Sequence, residues 1–256
     1  MYLYEGGNVF DNTSAVAKEN VATIVAMVKR ELPSALQKNA IPDIGSAGYK
    51  VESGDIDLFV DAVATIKNFG VTDEKQAKQA LAQYFQAKGY AVKVMGRNVH
   101  IDMPYKIANG KQLFAQVDLM VIGDAKRVAD WHQHGPRGMY DDPAFKAGHL
   151  YILLNSIAKY LGLKVDAFAG TVMRRDDNTI VADNRDAAAK ILLNPKAKAA
   201  DLNSTTTVMA ALANDPDKEG KLAQAYQDVQ KGQLTLPEEA PQAGTAAWFR
   251  RLGHQL

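Results

Sequence analysis

Ile44-Gly45-Ser46-Ala47-Gly48-Tyr49-Lys50-Val51-Glu52-Ser53-Gly54-Asp55-Ile56-Asp57-Leu58-Phe59-Val60-Asp61 is the stretch on which the fold turns. It runs from a Gly-Ser turn through a short polar loop into carboxylates that alternate with apolar residues. Residues i and i+2 of a strand share a face, with about 7 Å between their backbones. Asp55 and Asp57 are therefore expected to project together, while Ile56, Leu58 and Val60 turn toward a core. Two carboxylates side by side repel each other unless positive charge lies between them. A pair of divalent cations roughly 3.5–4 Å apart meets that need and is a known arrangement in phosphoryl chemistry. A calcium loop on Asp55, Asp57 and Asp61 is a poorer reading, because Leu58, Phe59 and Val60 stand where such a loop needs glycine and oxygen ligands. Asp61 itself reads as a strand-end cap or a solvated group.

A third carboxylate lies in Leu113-Phe-Ala-Gln-Val-Asp-Leu-Met-Val-Ile122. A charge within so apolar a strand is costly to bury without a partner. Val117, Leu119 and Val121 share one face, which puts Asp118 on the other with Gln116 and Met120. If this strand lies beside 55–61, Asp118 joins Asp55 and Asp57 in a cluster suited to hard divalent cations, with Mg²⁺ the default where phosphates complete the shell. Gly45-Ser46 supplies the other half of a phosphate site. A small-residue turn lets backbone amides approach a phosphate closely, the Ser46 hydroxyl adds a donor, and Lys50 is placed to reach a β- or γ-phosphate.

Gly-Ser, a short loop, Asp-Ile-Asp-Leu and a later apolar-Asp-apolar strand together resemble the signature of the DNA polymerase beta-like nucleotidyltransferase superfamily. The match spans residues 41–61 and 115–122. With Gly6-Gly7-Asn8-Val9-Phe10 upstream, the string also looks like a little-studied group of phage-encoded proteins of this type. The resemblance implies metal-dependent transfer of a nucleoside monophosphate from a triphosphate to an acceptor, with release of pyrophosphate. It implies that Asp55, Asp57 and Asp118 are catalytic and hold Mg²⁺ or Mn²⁺, two ions in all. It assigns Asp118 to the catalytic ion and to activation of the acceptor hydroxyl, and Gly45, Ser46 and Lys50 to the triphosphate. The loop 47–54 is shorter than most members carry. The acceptor is left open among RNA, DNA, protein and small molecule. Two other readings use the same residues: a non-catalytic nucleotide-binding or structural module on this fold, and a metal-dependent nuclease, in which the Gly-Ser turn would have no purpose.

The chain has 256 residues, 47% apolar and 23% charged, which suits a globular protein with a substantial core. A formal net charge of +1 gives no global signal for nucleic acid or a membrane surface. The absence of cysteine excludes disulfides, thiolate zinc sites and cysteine nucleophiles, and is compatible with the cytosol. The first residues lack the basic and apolar regions of a signal peptide, and no apolar run approaches a membrane span. The expected location is cytoplasmic, the host cytoplasm if the chain is phage-encoded.

Periodicity predicts a helix over 14–31 ended by Pro33, a short apolar piece at 40–45, a strand over 55–61, and a helix over 73–88 capped by Thr72 and stopped by Gly89. Strands are expected at 90–95, 98–103 and 113–122, with Gly96-Arg97 as a hairpin turn. Gly135-Pro136-Arg137-Gly138 is the expected boundary between a nucleotidyltransferase domain, 1–134, and a smaller, mainly helical, acceptor-side domain, 135–256. In the second part, helices are expected from Pro143 to about Leu161, over 186–193, 204–213, 217–231 and 246–252, with a hairpin around Asp176-Asp177-Asn178 and a loop at 237–241. The fold class is α/β (α+β), a mixed sheet flanked by helices, with the active site expected in the cleft between the domains. Several other features take bland readings. His132-Gln133-His134 reads as a polar loop, His100 as a residue on the polar face of a strand, and Arg174-Arg175 as a charged hairpin tip rather than a nucleic-acid grip. Lys126-Arg127 reads equally as a helix start or a triphosphate contact, and Trp131, Tyr140 and Phe145 read as packing rather than base stacking.

Overall fold

The alternation in residues 55–61 is realised as an interior strand of a mixed sheet. The computed structural model describes residues 9–42, 44–45, 47–132, 147–213 and 215–228. The chain divides into two compact units between Gln133 and His134. The first contains, in order, Val16–Ala17 (β1), Lys18–Glu31 (α1), Ser34–Gln37 (α2), Ala40–Ile41 (β2), Glu52–Ser53 (β3), Asp55–Asp61 (β4), Ala62–Phe69 (α3), Glu74–Ala87 (α4), Val92–Met95 (β5), Asn98–Ala108 (β6), Lys111–Ile122 (β7) and Ala125–His132 (α5). The five-stranded sheet has the order β2-β4-β7-β6-β5. Its β4 and β7 run parallel, and its other neighbours are antiparallel. β1 and β3 pair separately as a two-stranded ribbon.

Strand periodicity divides the sheet into two unlike faces. Ile56, Leu58 and Val60 of β4, Val99, Ile101 and Met103 of β6, and Val117, Leu119 and Val121 of β7 point to one side. There they meet Val21, Ile24 and Val28 of α1 and Ala77, Leu81 and Phe85 of α4. Full burial of such a side chain is worth about 1.5–3 kcal/mol, so this face sets the register of all three strands. On the other side, Phe59 and Ile122 pack under α5 with Ala125, Val128 and Ala129. That second cluster covers only the far ends of β4 and β7. Toward their starts, the same face carries the polar residues.

Several element ends differ from the sequence expectation. The first helix begins at Lys18 rather than Ser14, because Val16 and Ala17 pair with Ser53 and Glu52. The cap of α4 is Asp73, one residue after Thr72, and its carboxylate accepts from Gln76 N at 2.8 Å. α3 was not expected. Asp61 ends β4 and caps this helix, accepting from Ala64 N at 2.7 Å, which settles Asp61 as a cap. β6 and β7 extend well beyond their expected apolar cores and meet at Asn109 and Gly110, whose φ angles are 51° and 73°. Asn-Gly is the favoured pair for such a two-residue turn. His132 belongs to the last turn of α5, not to a loop, and its ring meets Phe59 edge-on at 5.3 Å.

The second unit contains Ala147–Tyr160 (α6), Leu163–Asp166 (β8), Thr171–Arg174 (β9), Ile180–Ala182 (β10), Arg185–Leu192 (α7), a 3₁₀ turn at Ala199–Leu202, Thr205–Leu212 (α8) and Lys218–Asp228 (α9). The expected hairpin is β9–β10, extended by β8 into an antiparallel sheet. Arg175 Nε donates to the Leu163 carbonyl at 2.6 Å, and Asp177 accepts from Thr179 N at 2.8 Å, so the charged tip is built from its own backbone contacts. The unit pairs buried ionic groups at two places. Lys221 meets Asp215 and the Leu193 carbonyl, and Asp228 accepts from Ser156, Lys159 and Gln224. Ser46, His134, Tyr140, Phe145, the Gly135–Gly138 breaker, the start of the Pro143 helix, the loop at 237–241 and the terminal helix lie outside the described residues. No helix among the described residues is long and apolar enough to cross a membrane.

Candidate active site

The parallel pairing of β4 with β7 places Asp57 directly opposite Asp118 and Asp55 opposite Gln116. Antiparallel pairing on the other side of β7 places His100 opposite Asp118 and Asp102 opposite Gln116, and β5 adds Lys93 opposite His100. One row across four strands therefore reads Asp57, Asp118, His100, Lys93. Neighbouring strands lie about 4.8 Å apart, so this register brings the carboxylates together. Ligand oxygens of Asp55, Asp57 and Asp118 all lie within 4.8 Å of one another.

The three carboxylates differ in their surroundings. Asp118 is buried and well supplied with donors. His100 Nδ1 lies 2.7 Å from Oδ1, Gln116 Nε2 donates to the same oxygen at 2.9 Å, and Asn98 Nδ2 reaches Oδ2 at 3.3 Å. Among the described residues Asp57 has no hydrogen-bond donor. Burial, then the charges of Asp55 and Asp118, push its carboxyl well above the usual carboxylate range. Burial and the Asp118 charge likewise raise Asp55 to about 6, against the opposing pull of His100, its own backbone amide and Lys50. Lys50 is thus brought within electrostatic reach of the cluster. Gly45 is in direct contact with it, since a Cβ there would lie 2.5 Å from Asp57 Oδ2. No other residue fits at position 45 without moving the loop or the carboxylate.

This donor set fits divalent cations. Its oxygens are hard ligands, they converge, and burial together with mutual repulsion raises the Asp55 and Asp57 carboxyls above their usual range. Bound Mg²⁺ or Mn²⁺ would be held by Asp55, Asp57 and Asp118 and would supply the missing charge. His100, Gln116 and Asn98 were not among the site residues expected from sequence. The signal that locates them is register: once β6 pairs with β7 through the Asn109-Gly110 turn, His100 must face Asp118. Lys126 and Arg127 lie in the first turn of α5, where Arg127 pairs with Asp124. Trp131 is buried in the same helix.

No family model matches the chain, and no curated protein matches it. Among solved structures it is similar to Leishmania infantum polymerase beta in a ternary P/T complex, with 13% sequence identity and a TM-score of 0.48. That likeness covers 74% of this chain and 77% of the other.

Proposed function

We propose that this chain is a metal-dependent nucleotidyltransferase. The observation that carries the reading is the convergence of Asp55, Asp57 and Asp118 on the polar face of a mixed sheet, beside a glycine turn that touches one of them. In this reading Asp55, Asp57 and Asp118 would hold two divalent cations, Mg²⁺ or Mn²⁺, which would neutralise the triphosphate and the carboxylates. The backbone around Gly45 and Ser46 cradles the phosphates, and Lys50 adds positive charge. An acceptor hydroxyl oxygen attacks the α-phosphorus, the bond to the bridging oxygen breaks, pyrophosphate leaves, and the hydroxyl proton passes to solvent. Asp118 orients that hydroxyl. The protein contributes positioning and electrostatics rather than a covalent step of its own. The domain of residues 1–134 is the catalytic part, and the part from 135 onward serves the acceptor, which is an RNA, DNA, protein or small molecule of the cytoplasm.

Incubation with each nucleoside triphosphate, Mg²⁺ or Mn²⁺ and cell extract tests the reading. Label should enter an acceptor with release of pyrophosphate, and Asp55→Asn and Asp57→Asn should each lower turnover by about a hundredfold to a thousandfold, the scale of a removed electrostatic stabiliser. Asp118→Asn should do nearly as much. Full activity in Asp55→Asn or Asp57→Asn sinks the mechanism. Triphosphate binding without pyrophosphate release would instead identify a nucleotide-binding module, and nicking of DNA or RNA without added nucleotide would identify a nuclease.

A further inference from the structure

We infer that His100 and Gln116 are positioning residues that leave Asp118 a single oxygen for a cation, and that this makes the site select a small octahedral ion over calcium. The inference rests on the cation site proposed above. Asp118 Oδ1 receives two contacts, from His100 Nδ1 at 2.7 Å and Gln116 Nε2 at 2.9 Å. A carboxylate oxygen has about two lone-pair sites, so Oδ1 is filled. Against a carboxylate, only the N–H form of His100 Nδ1 makes an attractive contact. The Gln116 amide is itself oriented from behind, because Val9 N–H donates to its Oε1 at 2.9 Å and turns Nε2 toward Asp118. Oδ2 carries only the longer contact from Asn98 at 3.3 Å and keeps a lone pair open. His100, Gln116 and Asp118 are all buried, at 5%, 1% and 5% exposure, so this arrangement has little room to relax.

The consequence follows from the coordination habits of the two ions. Mg²⁺ takes six ligands in near-ideal octahedral geometry and is content with one oxygen per carboxylate. Ca²⁺ takes 6–8 oxygens at longer distances and often fills its shell with bidentate carboxylates. With Oδ1 closed, Asp118 cannot chelate through both oxygens. The site thereby withholds a ligand that calcium uses and magnesium does not need.

Calorimetric titration of the full chain with Mn²⁺, Mg²⁺ and Ca²⁺, without nucleotide, reads this directly. Removing a donor in His100→Ala or Gln116→Met should shift the ratio of Mn²⁺ to Ca²⁺ affinity toward calcium by about tenfold, the lower end of what partners of metal ligands contribute. His100→Asn, whose amide nitrogen takes the place of Nδ1, should keep the wild-type ratio. An unchanged ratio in Gln116→Met overturns the inference, whether both affinities hold or fall together. So does a loss of selectivity in His100→Asn equal to that in His100→Ala. Gln116→Met decides the matter alone if His100→Ala does not fold. If the wild-type chain binds no divalent cation, it is the proposed cation site that fails.

Discussion

Asp57 is the residue at which stability and the proposed chemistry pull in opposite directions. It sits between two carboxylates and, among the described residues, has no donor, and its carboxyl is raised well above its usual range. Asp55 is raised to about 6 for the same reasons. An aspartate in the unfolded chain titrates near 3.9, so both groups bind protons more tightly in the folded state. Their contribution is most favourable below about pH 4 and is lost as pH rises, through about 6 for Asp55, with Asp57 shifted in the same direction. Two outcomes are expected. Mn²⁺ affinity should climb between pH 5 and pH 8, with protons released on binding; calorimetry in two buffers of different ionisation enthalpy measures the release. In cation-free protein at pH 8, Asp57→Asn should raise the melting temperature by ~3 °C, the shift that about 1 kcal/mol produces in a chain of this size, while abolishing cation binding. A lower melting temperature would contradict the repulsion assigned to this cluster. Gly45→Ala should act from the other side. Its Cβ would meet Asp57 Oδ2 at 2.5 Å, so Mn²⁺ affinity should drop by about 10-fold or more as the loop or the carboxylate gives way. An unchanged affinity would place Gly45 outside the site.

At the scale of elements, the site is a product of register. β4 and β7 are legible because their carboxylates interrupt apolar alternation, and the residues facing the core, Ile56, Leu58 and Val60 with Val117, Leu119 and Val121, are those the alternation selects. The Gly96-Arg97 turn discloses that β5 lies beside β6, but not which strands lie beside β7. Asp118 is separated from Asp57 by two helices and two strands, and only the pairing of β4 with β7 makes them neighbours. His100 reads as one polar-face residue among several because its partner is defined by the β6–β7 hairpin, whose outer part mixes polar residues with an exposed Ile107 and so lacks a clean apolar alternation. α3 has no sequence boundary of its own, because it follows β4 without a break, with Asp61 serving both elements. The Asn109-Gly110 turn was the available clue to the hairpin. Gly110 has φ 73° with open space around its Cα, so backbone conformation rather than packing demands glycine there. Gly110→Ala should therefore cost about 1 kcal/mol in denaturant unfolding. Cation affinity should stay unchanged, because the register near His100 is held by Val99 and Ile101 in the core. A change in cation affinity would show that the turn, and not the core, sets the register at the site.

At the scale of the whole molecule, the two units are stabilised by different means. The first rests on one apolar sheet face and tolerates uncompensated carboxylates on the other. The second holds Lys221 with Asp215, and Lys159 with Asp228, as ion pairs. Lys221, 3% exposed, meets Asp215, 9% exposed, and also donates to the Leu193 carbonyl at 3.1 Å. Taking two charges out of water is expensive, and removing one partner strands the other, at a cost of about 3–5 kcal/mol. Lys221→Met should therefore strongly destabilise the second unit. Adding Asp215→Leu should recover much of the loss, because a well-packed apolar pair escapes the desolvation penalty altogether. Both Lys221 and its partners lie on the C-terminal side of Gln133, whereas Asp55, Asp57 and Asp118 lie in the other unit. Calorimetric unfolding combined with Mn²⁺ titration should thus find the second unit melting earlier in Lys221→Met, with cation affinity at the aspartate cluster unchanged. If cation affinity fell with the stability of the second unit, the two would be thermodynamically coupled and the cluster would depend on both halves of the chain.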